Sequence, residues 1–214
     1  MNTFKLMRTY PLQVFRHRVY IPCINLIGLW EDFKRRVRTQ KIIELGDLGI
    51  DPMVGVRCET VSYRKLRQVF KIAKTQGFDK FCDIGCGLGR GLIVASEVGF
   101  NDLYGVDISP ELIGVAQNNL NKRNVSASLS CSDVDSFLVP SGRLAVYLFN
   151  PFGEERMTRL IEKLEKRESE TLILYHNPRH FTCFNSDHKV KDITWRHFGL
   201  YGETCFVYLI PAQS

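Results

Sequence analysis

The residues best suited to chemistry begin at Asp83. Asp83-Ile84-Gly85-Cys86-Gly87-Leu88-Gly89-Arg90-Gly91 sets an acid ahead of glycines at every second position. Such glycines let a backbone turn tightly and come close to a ligand with no side chain between them. A dinucleotide-binding turn follows G-x-G-x-x-G, which would put its third glycine at position 90, where the chain has Arg90. Alternating glycines behind an acid argue against a pyrophosphate and for a different adenosyl ligand. The second such group is Tyr104-Gly105-Val106-Asp107-Ile108-Ser109. A carboxylate at Asp107 can accept hydrogen bonds from both hydroxyls of a ribose. Ser109 is placed to cap the next helix, which leaves Asp107 to the ligand.

These residues need a frame that brings them to one edge. From residue 80 onward the pattern alternates between strand and helix. Strands are expected at Lys80–Ile84, Leu103–Asp107, Ala127–Cys131, Leu144–Phe149 and Thr171–Tyr175. Helices are expected at Gly91–Val98, Pro110–Lys122 and Glu154–Lys166, and a further helix at 59–76 precedes the first strand. Two late strand-like runs, Val190–Arg196 and Thr204–Ile210, have no clear helix between them and suggest a closing hairpin. The expected fold is therefore α/β: a doubly wound, mostly parallel seven-stranded sheet with a C-terminal antiparallel hairpin. Ligands of such sheets bind outside the carboxyl ends of the strands, where both motifs lie.

In this order and spacing the chain resembles the class I S-adenosylmethionine-dependent methyltransferases, from about Glu59 to Ala212. D-I-G-C-G-L-G-R resembles the family's first motif and G-V-D-I-S its second. Ser132-Asp133-Val134 resembles the third, and Asn150-Pro151-Phe152 the fourth. The resemblance implies a Rossmann-like fold, with S-adenosylmethionine as cofactor. Gly85, Gly87 and Gly89 would pass beneath its methionine part, and Asp83 would face its amino group. Asp107, with Ile108 beside it, would hold the ribose. Asp133 and Val134 would meet the adenine. Glu59, Thr60 and Tyr63, in E-T-V-S-Y, would lid the cofactor or simply open a helix.

Asn150-Pro151-Phe152-Gly153 is similar to the N/D-P-P-Y/F motif of nitrogen methyltransferases, with one proline fewer and a glycine after the aromatic. Some small bacterial family members carry N-P-F here. The resemblance implies that Asn150, Pro151 and Phe152 serve the acceptor, Asn150 also bordering the cofactor, and that the acceptor is a nitrogen of a protein lysine or another amine. The other reading is an S-adenosylmethionine-binding scaffold without methyl transfer. A nicotinamide oxidoreductase is disfavoured by Arg90 and by the lack of a Y-x-x-x-K pair.

The 214 residues suffice for one large core and an appendage. Residues 1–40 hold eight lysines and arginines against Glu31 and Asp32, an excess equal to the +6 of the whole chain. Residues 1–50 are accordingly read as a basic helical arm and 51–214 as the cofactor-binding domain. Within the arm, Ile24, Ile27, Leu29, Trp30, Phe33 and Val37 fall near helical spacing, as in an amphipathic helix over 24–38. The arm suits RNA, an anionic membrane surface or an acidic protein, or is simply a solvated face.

Seven scattered cysteines without a C-x-x-C pair fit a reducing cytoplasm, with peripheral membrane contact through the arm as an option. His176 and His180 straddle Pro178 and lack further ligands at metal-binding spacing, so no metal is expected.

Overall fold

The computed structural model describes residues 21–48, 58, 60–184, 191–192 and 205–213. Its strands are β1 (Lys80–Ile84), β2 (Asp102–Asp107), β3 (Ser128–Cys131), β4 (Leu144–Leu148), β5 (Thr171–His176), β6 (Lys191–Asp192) and β7 (Cys205–Ile210). Its helices are α1 (Ile21–Arg35), α2 (Tyr63–Thr75), α3 (Arg90–Val98), α4 (Pro110–Lys122) and α5 (Glu154–Glu165).

The strands form one sheet in the order β3-β2-β1-β4-β5-β7-β6. β1 to β5 are parallel, and β7 runs antiparallel to both β5 and β6. β6 is a two-residue pairing, and the other strands have four or more residues. The expected α/β architecture and closing hairpin are present. The remainder of the expected strand at 190–196 lies outside the described residues.

β4 (LAVYL) and β5 (TLILYH) are buried at every position. Strands covered on both faces read as continuous apolar runs rather than alternating ones. One core cluster joins Leu66, Phe70 and Phe81 with Leu92 and Leu120. It lies between the sheet and α2, α3 and α4. The second joins Ile84, Val146 and Ile173 with Met157, Leu160 and Ile161 of α5.

Local chemistry sets the helix boundaries. Ser109 caps α4, its Oγ accepting from the Leu112 N–H at 3.1 Å, with Pro110 in the first turn. The helix expected from residue 59 opens only at Tyr63. Ser62 adopts the extended N-cap conformation and accepts from the Lys65 N–H at 3.4 Å. Thr60 to Ser62 therefore precede the helix.

The N-terminal helix is inverted relative to an ordinary surface helix. Its packed side holds Gly28 and Asp32, while Leu26, Ile27, Leu29, Trp30 and Phe33 are 53 to 72% exposed. Asp32 is the anchor. Its carboxylate accepts from the backbone N–H of Thr39 and Gln40, from the Thr39 hydroxyl and from the Tyr63 hydroxyl. Arg90 completes the cluster with hydrogen bonds to Asp32, Thr39, Gln40 and the Val61 carbonyl. A buried carboxylate so well satisfied outcompetes the apolar stripe for the inner face.

Candidate functional site

The order of the sheet reverses between β1 and β4. A cleft opens there at the carboxyl ends of the strands, as expected for a doubly wound sheet. Its wall includes Asp83, Gly85, Gly87, Asp107, Asn150 and Arg156.

After β1 the chain enters α3 through Gly85, Gly87 and Gly89, all with left-handed φ (79°, 51° and 83°). Two of these glycines also provide clearance in the cleft. A Cβ on Gly85 would stand 3.0 Å from Pro151 Cβ, so the first and fourth motifs touch directly. A Cβ on Gly87 would meet the Cys58 sulfur at 2.7 Å. Gly89 behaves differently from the expectation that it passes beneath a ligand. It is the N-cap of α3, does not border the cleft, and would press a Cβ to 3.2 Å from Ala116 of α4. Its role is helix packing.

Two carboxylates lie behind this turn. Asp83 is 4% exposed, and Gly91 provides the space its carboxylate occupies. Burial first and the neighbouring Asp107 second push its pKa up to about 7. No cation among the described residues offsets them. Asp107 accepts from the Gly87 N–H at 2.9 Å and the Ser109 N–H at 3.1 Å. Burial raises its pKa, and the backbone donors of Ser109, Gly87 and Ile108 partly offset that rise.

Ile108, Asp133 and Val134 border the cleft beside Asp107. Asp133 lies 3.4 Å from the Arg156 guanidinium and accepts from the Asp135 N–H. Arg156 was not singled out from the sequence. Its place in the first turn of α5, just after Asn150-Pro151-Phe152, is the signal that could have found it. Cys58, also on the wall, offers no such local signal, because its place is set by an isolated bridge to Ile43.

Pro151 and Phe152 border the cleft. Phe152 is also part of the core around α5. Asn150 has a left-handed φ of 44° and is 5% exposed. Its amide nitrogen donates to the Asn177 carbonyl at 2.6 Å, and its amide oxygen accepts from the Arg179 N–H at 3.1 Å. The side chain thus fastens the segment after β5 to the end of β4. The aromatic wall here also includes Phe149, whose ring meets that of His176 edge-on at 5.4 Å.

Of the expected lid, Thr60 borders the cleft, while Glu59 lies outside the described residues. Tyr63 does not border it. Its hydroxyl bonds Asp32 and Thr39, and its ring stacks beneath the Arg90 guanidinium, 4.5 Å away.

Residues 81–166 match the methyltransferase-domain family. The ribosomal protein L11 methyltransferase of Thermotoga neapolitana is 30% identical over 96 residues, 45% of this chain and 35% of that protein. The chain therefore spans about a third of the length of the curated relatives it matches. Among solved structures, a magnesium protoporphyrin IX methyltransferase from Synechocystis with bound S-adenosylmethionine superposes with a TM-score of 0.56 at 15% identity, over 70% of this chain and 79% of that one. An RNA methyltransferase from Salinibacter ruber with S-adenosyl-L-homocysteine gives 0.56 at 18% identity, over 72% and 95%. At such identities the likeness is one of fold.

Proposed function

We propose that this chain, whose residues 81–166 match the methyltransferase-domain family, binds S-adenosylmethionine and transfers its methyl group to a nitrogen acceptor, a protein lysine or another amine. The observation that carries the reading is Asp83: a buried carboxylate without a cationic partner among the described residues, facing a cleft floored by glycines. A ligand bearing an ammonium and a sulfonium supplies the missing positive charge.

The other residues fit the same ligand. Asp107 keeps lone pairs for ribose hydroxyls after accepting its backbone bonds. Asp133 can accept from an adenine amino group, with Ile108 and Val134 as apolar neighbours. Gly85 and Gly87 keep the floor free of side chains. S-adenosylmethionine supplies a methyl already activated on sulfur, so the protein's task is alignment and exclusion of water.

Support for nitrogen comes from the turn after β4 and from the relatives. Phe149, Pro151 and Phe152 form an apolar wall that strips water from an amine and lowers its affinity for a proton. That matters because a lysine has an ordinary pKa of about 10.4 and must be neutral to attack. The Asn150 amide oxygen accepts one hydrogen bond, from the Arg179 N–H, and keeps a second lone pair, so it and the backbone carbonyls of the turn are the oxygens available to the amine. The curated relatives named above act, by name, on a ribosomal protein. The basic excess of residues 1–40 fits an anionic partner in addition.

Calorimetry with S-adenosylmethionine tests the cofactor, comparing wild type with Asp107→Ala. The wild type binds, and the variant loses at least about tenfold in affinity, the worth of one hydrogen bond to a charged group. A folded wild type that does not bind ends the reading. Transfer of a labelled methyl into proteins and polyamines tests the acceptor. Label recovered after acid hydrolysis as N-methyllysine or as an N-methylated polyamine supports nitrogen, whereas label released by mild alkali as methanol is an ester and overturns the nitrogen assignment. Binding without transfer to any acceptor would leave the scaffold reading.

A further inference from the structure

The outer face of α1 has no partner among the described residues. Leu26, Leu29, Trp30 and Phe33 fall at i, i+3, i+4 and i+7, the spacing of a single helical stripe, and all are more than half exposed. Ile27 widens the stripe, and the Trp30 and Phe33 rings stack at 5.7 Å. Apolar side chains gathered on one exposed face mark a binding surface rather than chance exposure. The helix cannot roll to hide them, because Asp32, Thr39, Tyr63 and Arg90 hold its polar side inward. Arg35 adds a second tie through Glu97 at 2.7 Å.

Charge identifies the occupant. Residues 1–30 contain Lys5, Arg8, Arg16 and Arg18 and no acid. At the end of α1, Arg36 and Arg38 are exposed, and the Lys34 ammonium lies 5.9 Å above the Trp30 ring. A second copy of the chain seated face to face would bring these cations together. A nucleic acid would use the cations and leave Leu26, Ile27 and Leu29 with nothing to bury against. An anionic lipid surface uses both: apolar side chains enter the boundary between headgroups and acyl chains, tryptophan sits at that depth, and lysine and arginine meet the headgroups. No described helix is long and apolar enough to cross a membrane, so the contact would be peripheral.

We infer that α1 is an interfacial anchor that seats the protein on anionic membranes through Leu26, Leu29, Trp30 and Phe33. The test uses the full chain and vesicles of phosphatidylcholine, with or without phosphatidylglycerol. Trp30 and Trp195 are the two tryptophans. Trp195→Phe therefore makes Trp30 the sole reporter. The chain is expected to sediment with the anionic vesicles at least about tenfold more strongly than with the neutral ones, each basic residue near the surface strengthening binding severalfold. Trp30 emission should shift to the blue. Leu29→Ser with Phe33→Ser, at exposed positions, should weaken binding by about tenfold or more, the loss expected for two apolar groups, while the melting temperature stays put.

Equal binding to both vesicle types overturns the inference. So does anionic binding in which Trp30 does not shift and the double variant binds as well as wild type, because the basic stretch alone would then be responsible. A blue-shifted Trp30 without lipid, rising with protein concentration, would assign the stripe to a second copy. Salt-sensitive binding to RNA with no vesicle binding would assign the basic stretch to nucleic acid. Either result also overturns the inference.

Discussion

Asp83 holds a charge conflict that a cationic ligand would resolve, and its sign can be read in pH. With its pKa near 7 instead of 3.8, the native chain keeps a proton there that the unfolded chain has released. Its contribution to stability therefore falls as pH rises from 3.8 through about 7 and is flat beyond. A bound cation favours the carboxylate, so affinity for S-adenosylmethionine should climb with pH through the same upper limit. Asp83→Asn should remove that climb and weaken binding. Above pH 7 it should also raise the urea midpoint of the free chain, by a gain of about 1–3 kcal/mol. Unchanged affinity in the variant would show that Asp83 does not meet the ligand. Asn150 makes a different prediction, since its amide is bonded to the segment after β5. Asn150→Ala should cost about 1–2 kcal/mol of stability and speed amide hydrogen exchange at Asn177, Arg179 and His180. Methyl transfer should fall at least about tenfold while cofactor affinity changes no more than about threefold. An equal fall in both would place the amide at the cofactor instead.

At the scale of elements, the link from the glycine turn to α3 shows how packing and conformation share one residue. Gly89 is left-handed at 83°, and a Cβ there would stand only 3.2 Å from Ala116 of α4, so its absence lets the two helices pack closely. Gly89→Ala should cost about 1–3 kcal/mol, from the unfavourable conformation and the crowded helix contact together. It should lower cofactor affinity only through that displacement, as urea melts and calorimetry on one sample would separate. What the sequence made legible follows the range of the forces involved. β1, β2 and α4 were readable because apolar runs, glycine turns and the Ser109 cap act within a few residues. The wall residues of the first and second motifs were readable for the same reason. The clamp of Asn150 on Arg179, the pairing of Asp133 with Arg156 and the capture of Tyr63 by Asp32 join residues 23 to 31 positions apart. No local pattern announces such partners. The orientation of α1 was hidden for a related reason: periodicity marks an apolar stripe but does not say which side packs inward, and here one buried acid decided it.

The same buried acid bears on the molecule as a whole. A basic arm at 1–50, separate from a domain at 51–214, would let the arm be removed without harm. The contacts point elsewhere. Asp32 and Arg90 form an ion pair at 3.2 Å with both side chains nearly inaccessible, and the Arg38 backbone exchanges hydrogen bonds with Asn119 of α4. Arg90 itself borders the cleft. Deleting residues 1–40 would strip the Arg90 guanidinium of Asp32, Thr39 and Gln40, leaving the Val61 carbonyl and the Tyr63 ring. Breaking a buried pair by removing one partner costs about 3–5 kcal/mol. For a domain of this size that lowers the melting temperature by roughly 10 °C, at about 2–4 °C per kcal/mol. Cofactor affinity should fall with it, because the guanidinium would shift toward water at the cleft wall. Deleting residues 1–20 spares every contact described and should leave both quantities near wild type while removing four of the basic side chains. Thermal melts of the two deletions, each with and without S-adenosylmethionine, separate the possibilities. If both melt like the full chain, the arm is an appendage. If only the longer deletion fails, the cofactor site includes residues 32–40 as part of its own support, and a membrane contact made by the outer face of α1 would lie one layer of side chains from the cleft.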